Sequence, residues 1–264
     1  MHPILFTLGP WALGSMSLGP LTLRTYGLMM ALSFVLGLAL AGRLNRREGR
    51  SWDDLLDLGT WIMLGAVVGA RILYCIVEWP QFQAEPWTVI AVWQGGLVYY
   101  GGLIGAALTA YGVMRVKRMP VWAYADVLAP GLALGQVTGR LGCWFNGCCY
   151  GRADRTWGVV FPALGDNIPR LPVMLYEAAF CLLLSAFLYW FWARRRFVGQ
   201  VFWVYVLAYA AWRFGIEFLR GDPERGTLVS DALSPSQWIS LVGFALAGGA
   251  LFYFSRRSAA PGRR

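Results

Sequence analysis

Two groups of residues in this sequence have the types and spacing to handle a phosphate. The first is the segment GRLGCWFNGCCYGR at residues 139–152. Its glycines let the backbone approach a ligand closely, and Arg140 and Arg152 offer planar N–H forks that match phosphate oxygens. The second is Arg213, Glu217 and Arg220, at i, i+4 and i+7 of a helical pattern, so that all three would project from one face with Tyr209 a turn earlier. That face is a basic stripe braced by an acid; the plainer reading is a structural ion pair beside a snorkelling arginine.

Other chemistries are excluded or weak. The only histidine is His2, so no histidine-based triad or zinc-hydrolase motif exists in the body of the chain, and there is no phosphate-binding loop of the GxxxxGK[ST] type. A catalytic cysteine would lack a histidine to make its thiolate. Cys143, Cys148 and Cys149 share the first segment in a C-x4-C-C spacing. A disulfide is permitted outside the membrane, and thiols also bind metals, but no second cysteine pair completes a zinc site. Structural thiols or a disulfide rank first, and no metal or cofactor is expected. Tyr99 and Tyr100 stand between two glycine pairs, and Tyr26 opens an apolar run; each suits an interface anchor as well as an active site. Arg71, Asp126 and Glu177 lie within or at the edge of apolar runs, where an ionisable group is costly unless paired or hydrated.

The elements that must position these residues are membrane helices. The chain has 264 residues, of which 58% are hydrophobic and 14% charged, and its mean hydropathy is +0.50, which nearly excludes a water-soluble enzyme. Apolar stretches near 26–42, 56–77, 97–114, 121–137, 173–192, 200–218 and 235–253 each approach the ~20 residues that cross a bilayer. The predicted architecture is an all-α polytopic membrane protein of about seven transmembrane helices, a single integral-membrane domain over 1–264. Residues 139–172, rich in Gly, Pro, Asp and Arg, are expected to form a small extracytoplasmic head between spans four and five, with a strand near Trp157–Phe161. Residues 4–23, punctuated by Gly9–Pro10 and Gly19–Pro20, are expected to form short strands or an interfacial arm. Trp79, Trp87 and Trp93 fit an aromatic belt.

The net charge of +9 is nearly all arginine, which beside membrane spans reports orientation and lipid contact more often than nucleic acid. Fourteen basic residues follow spans one, three, five and seven, including Arg263 and Arg264, against seven on the other side, including Arg225. The bias places the N-terminus outside and the C-terminus in the cytoplasm.

Along nearly its whole length the chain resembles the prolipoprotein diacylglyceryl transferases. The resemblance runs from Leu23, Arg24, Thr25, Tyr26 and Gly27 through Gly69, Ala70 and Arg71, the glycine pairs around Tyr100, and Asp126. It is most specific at Gly139, Arg140 and Gly142, at Asn146 and Gly147, and at Gly151 and Arg152. It continues through Tyr176–Glu177 and Arg213–Arg220 to Gln237, with Gln94 among the residues before Tyr100. Four departures fall in the site: Tyr100 and Leu171 stand where better-known members have histidines, and Cys143 and Cys148 where they have an asparagine and a glutamate. A cysteine-bearing branch with Tyr-Gly-Gly and Gly-Cys-Cys is the nearer resemblance.

The resemblance implies a multi-pass enzyme of the bacterial inner membrane. It would move the diacylglyceryl group of phosphatidylglycerol to the lipobox cysteine of a prolipoprotein signal peptide, releasing glycerol phosphate. Arg140 and Arg213 would bind the headgroup phosphate, Glu217 would orient Arg213, and Arg220 would attract lipid at the outer surface. Tyr26, Tyr100 and Asn146 would position the donor or relay the thiol proton, with Gly151 and Glu177 also in the substrate-binding set. A phenol, with a reference pKa of about 10, is a poor sole base. The alternatives are the same fold with a different acceptor, and a non-catalytic protein that binds or translocates phospholipid.

Overall fold

The computed structural model describes residues 2–9, 11–13, 16–18, 21–91, 95–221 and 233–259. Pro10, Gly19, Pro20, Trp93, Gln94, Arg225, Arg263 and Arg264 lie outside the described residues. Eight α-helices are described: α1 Thr25–Arg47, α2 Trp52–Val77, α3 Trp79–Ala84, α4 Tyr99–Val116, α5 Val121–Asn146, α6 Val173–Trp192, α7 Gln200–Ile216 and α8 Pro235–Ala259. All but the short α3 coincide with the seven apolar stretches. Five of them, α1, α2, α6, α7 with its last turn, and α8, are long and apolar enough to cross a membrane. Large apolar side chains face outward, among them Ile76, Leu108, Leu183 and Leu246. An apolar exterior on helices that satisfy their own backbones is what a bilayer demands, and the chain is a multi-pass, all-α membrane protein.

The strands are short. β1 Ile4–Leu8 pairs antiparallel with β4 Leu21–Arg24, and β2 Trp11–Leu13 with β3 Met16–Leu18, so the N-terminal arm is built of hairpins that lead into α1. β5 Val159–Val160, within the stretch read as a strand, pairs with β6 Pro169–Arg170.

The chain divides into two compact units, residues 42–124 and residues 1–41 with 125–264. In the first, α2 and α4 pack backbone to backbone. A methyl group added at Gly69 would stand 2.4 Å from the Gly101 carbonyl oxygen, and one at Gly105 would stand 2.2 Å from that of Gly65. Small residues four apart thus form the seam. Arg71 is buried there, and its guanidinium donates to the carbonyls of Val89 (2.9 Å), Gly95 (2.6 Å), Gly96 (3.0 Å) and Thr88. It also lies against the rings of Tyr74 and Phe82. The sequence marked Arg71 as a functional candidate; the structure makes it the clamp that shapes the chain leading into α4.

In the second unit α1 and α5 cross at glycines, where a methyl group on Gly131 would stand 2.3 Å from the Gly37 carbonyl oxygen. Ser33 and Thr138 bridge the same interface by a hydroxyl pair at 2.6 Å. Ala129, Ala133, Leu184, Leu188 and Val201 form a buried core, and Phe180 stacks on Trp212 at 4.3 Å. Asp126, fully buried, accepts from the backbone N–H groups of Gly199 (2.7 Å) and Phe202 (3.0 Å) and pairs with Arg195. It caps the start of α7, which satisfies donors that a helix leaves orphaned and accounts for a carboxylate within an apolar run.

Candidate active site

The second unit brings the two phosphate-binding candidates to the same ends of its helices. Arg140, on the penultimate turn of α5, pairs at 2.7 Å with Glu177 from the first turns of α6. Glu177 is wholly buried, and the Tyr209 hydroxyl of α7 donates to the same carboxylate oxygen at 2.9 Å. The other carboxylate oxygen of Glu177 has no hydrogen-bond partner among the described residues. One turn along α7 from Tyr209, Arg213 pairs with Glu217 at 2.5 Å. Glu217 also accepts from the hydroxyls of Ser234 (2.8 Å) and Ser236 (3.0 Å), and Arg213 donates to Ser236 (3.1 Å). Tyr209 and Arg213 are four residues apart on one face of α7, so two arginine–carboxylate pairs are joined through a single helix.

Ser234 and Ser236 escaped the sequence reading, yet they carried a signal. Ser234 and Gln237 exchange side-chain bonds with each other's backbone N–H (3.0 and 3.3 Å) across Pro235, the capping box that starts α8. Fixing the start of α8 fixes both hydroxyls against Glu217.

Arg220 requires a correction. It does not continue the α7 stripe. The α-helix ends at Ile216, residues Glu217–Leu219 form a 3-10 turn, and Arg220 is extended at φ −79°, ψ 148°. There it bridges to Gly151 as a strand would. The Gly151 N–H donates to Leu171, and the Arg152 N–H to Leu219 (2.8 and 2.9 Å), so residues 151–153 run between 169–171 and 219–221. Gly151 is buried at that crossing, where a methyl group would fall 2.5 Å from Val173 and 2.6 Å from the Leu219 carbonyl oxygen. Close backbone packing is what its lack of a side chain serves. Arg152 is exposed beside it.

This three-stranded crossing carries Arg220 to the Gly-Cys-Cys turn. Cys143, Cys148 and Cys149 are free thiols whose sulfurs lie within 4.8 Å of one another. Hydrogen bonds with Cys143 and Cys148 and the Arg220 guanidinium alongside hold the Cys149 thiol below its ordinary range. Asn146 bonds the Cys148 side chain. Tyr26, at the start of α1, packs over Gly142, where a methyl group would stand 3.2 Å from its ring. Its hydroxyl is within electrostatic reach of Arg140 and all three cysteines. Tyr26, Arg140, Asn146, Gly151, Glu177, Arg213, Glu217 and Arg220 thus belong to one unit. Tyr100 belongs to the other, at the start of α4, half-exposed and edge-on to Tyr99 at 5.7 Å.

The head beside this site is held by local charges. Asp154 accepts from the N–H groups of Thr156 and Trp157, both at 2.8 Å, and its carboxyl is held below the usual range by them. Asp166 grips Arg170 with both oxygens at 2.6 Å, which lowers its carboxyl likewise. Phe161, Cys143 and Met174 form the buried floor under the head.

These features gather three arginines, Arg140, Arg213 and Arg220, with two carboxylates, Glu177 and Glu217, in one unit of a multi-pass membrane protein. The particular family follows from comparison with known proteins. The sequence profile of the prolipoprotein diacylglyceryl transferase family matches residues 14–253, and the chain belongs to that family. It is 36% identical over 256 residues to the phosphatidylglycerol–prolipoprotein diacylglyceryl transferase of Nostoc sp., covering 91% of this chain and 89% of the relative. The enzyme of that name from Bordetella parapertussis is 36% identical over 250 residues, covering 92% and 95%. That of Solidesulfovibrio magneticus is 37% identical over 236 residues, covering 86% and 88%.

Proposed function

We propose that Arg140 and Arg213 hold the phosphate of phosphatidylglycerol in a transferase that moves its diacylglyceryl group to a prolipoprotein. The chain is a diacylglyceryl transferase of lipoprotein biosynthesis. The acceptor is the thiol of a lipobox cysteine, and glycerol phosphate leaves. The protein lies in the bacterial inner membrane with its N-terminus outside. Residues 1–264 work as one membrane domain whose head, residues 139–172, faces the side from which the signal peptide arrives.

The reaction is a displacement at the glyceryl carbon. The sulfur forms a C–S bond as the C–O bond breaks, and the electron pair stays on the phosphate oxygen. A phosphodiester with one negative charge becomes a monoester with two, so fixed guanidinium donors stabilise the transition state more than the bound lipid. The observation that carries this reading is the pair of arginines, each immobilised by its own buried carboxylate and therefore spared reorganisation during reaction. Glu177 and Glu217 are positioning residues for Arg140 and Arg213. The unpartnered oxygen of Glu177 also suits a hydroxyl of the glycerol headgroup. Arg220 draws the headgroup to the outer end of the site. Tyr26 and Asn146 line the approach to Arg140, and Gly151 holds the floor closed.

The test is transfer by purified protein from labelled phosphatidylglycerol to a lipobox peptide, beside Arg140→Ala. Thioether-linked diacylglyceryl peptide made only by the intact protein is expected. Near-normal turnover by the variant would reject the assignment. Bound lipid with no product from the intact protein would instead favour a different acceptor or a purely lipid-binding role.

A further inference from the structure

The Gly-Cys-Cys turn contributes three thiols that the phosphate chemistry does not use. We propose that Cys143, Cys148 and Cys149 form a tris-thiolate site for a soft divalent cation, zinc first, whose open fourth position takes the acceptor thiol. The second half of this proposal rests on the transferase reading; the metal site itself does not.

The backbone builds the cluster. Cys143 lies on the last turn of α5, and the chain then reverses through left-handed residues, Gly147 at φ 72° and Cys149 at φ 64°. Glycine adopts that conformation freely, whereas a cysteine adopts it at a cost. Here it has the effect of bringing a third sulfur to the other two. The Cys148 N–H donates to the Cys143 carbonyl at 3.1 Å, which pins the reversal. The three sulfurs come within 4.8 Å of one another, and they are the one such group of metal-ligating side chains among the described residues. Zinc–sulfur bonds of ~2.3 Å in a tetrahedron place sulfurs about 3.8 Å apart, so the cluster needs to contract by about 1 Å at most.

Access agrees, and the Arg220 side chain lies alongside Cys149. Cys143 is buried, whereas Cys148 and Cys149 are half-buried, so one side of the cluster is open. Three protein ligands with one open position is the pattern of catalytic rather than structural zinc. The missing fourth ligand, which argues against zinc from sequence alone, is then supplied by the substrate. A thiol that coordinates zinc gives up its proton, here to water at the open side. The bound thiolate attacks the glyceryl carbon and the electron pair departs on the phosphate oxygen. The metal stays divalent throughout and no oxidant is needed.

The test uses the full chain in detergent. It is loaded with zinc, dialysed against a weak chelator and assayed for metal, then repeated with cadmium to read thiolate charge-transfer absorption and the number of sulfur neighbours by X-ray absorption. About one metal per chain with three sulfur neighbours is expected, rising to four on adding lipobox peptide, with retention lost in Cys148→Ser and Cys149→Ser. No retained metal, with all three thiols open to a thiol reagent or joined as a disulfide, overturns the site. Metal held by three sulfurs that stays at three with peptide overturns the fourth-position role. Metal held normally by a protein that transfers no lipid means the transferase reading has failed, and with it the substrate role, while the site stands. The wild-type measurement decides even if a serine variant does not fold.

Discussion

Arg71, buried, and Arg140, half-buried, both lie near helix ends, yet their partners differ in kind. Arg71 spends its guanidinium on four backbone carbonyls between residues 88 and 96 and has aromatic rings on its faces. Arg140 meets one carboxylate, Glu177, and its side chain remains 22% exposed. A guanidinium has five N–H donors, so saturation by carbonyls leaves little to offer a ligand, whereas a single ion pair fixes the group and leaves donors in hand. The lesson is that a charge in an apolar run is diagnosed by what already occupies it. The same holds for Asp126, consumed as a helix cap, against Glu177, which keeps one buried oxygen unpartnered.

Substitutions can sharpen the contrast. Arg140→Ala should lower the transfer rate per folded molecule by roughly 10²–10³-fold, the usual cost of losing a donor to developing charge, beyond any fall in melting temperature from leaving the buried Glu177 without its counter-charge. A rate within threefold of wild type would break the comparison from the catalytic side. Arg71→Ala should do the opposite. Four carbonyls between residues 88 and 96 lose a charged donor at about 1.5 kcal/mol each, so the melting temperature should fall before any specific effect on turnover is seen. A stable but inactive Arg71→Ala protein would show that Arg71 acts in the chemistry.

Glu177→Gln keeps the shape but removes the counter-charge. It should cost about 10-fold in rate, a smaller effect than losing Arg140 itself, with Arg140 mobile by its NMR linewidth. Ser236→Ala should cost only a few-fold, because Ser234 still holds Glu217 at 2.8 Å. The smallest effect is on pH. Asp154 and Asp166 are held below the ordinary carboxyl range in the folded head. Their contribution is therefore complete above the unfolded value of ~3.9 and is lost as pH falls through the lower folded values. Hydrogen exchange over residues 150–172 should accelerate only below about pH 4, and acceleration at higher pH would point to a different support for the head.

The seven long helices were legible because an apolar run of ~20 residues states its own length. The glycine seam between α2 and α4 was legible as a possibility, since small residues four apart permit close approach, but which helices met there is a tertiary fact. In the site, Arg140, Glu177, Arg213 and Glu217 stood out by type. The pairing of Arg140 with Glu177 did not, because 37 residues and a head separate them and nothing local encodes the contact. Arg220 was misplaced because helical periodicity was extended past Ile216, where backbone pairing with Gly151 overrides it. The Cys143–Cys148–Cys149 cluster depends on left-handed turns, one at a cysteine, which propensity argues against.

The most direct test of the central claim, that braced arginines stabilise the phosphate as it leaves, is a double-mutant cycle on Arg140 and Arg213. It reads single-turnover transfer and phosphatidylglycerol binding in the same preparations. The account predicts that each alanine variant loses at least about 10²-fold in rate and less than about 10-fold in lipid affinity, and that the double variant loses less than the product of the two, since both act on one charge. Rate and affinity falling by the same factor in every variant would contradict it, because the arginines would then only hold the lipid.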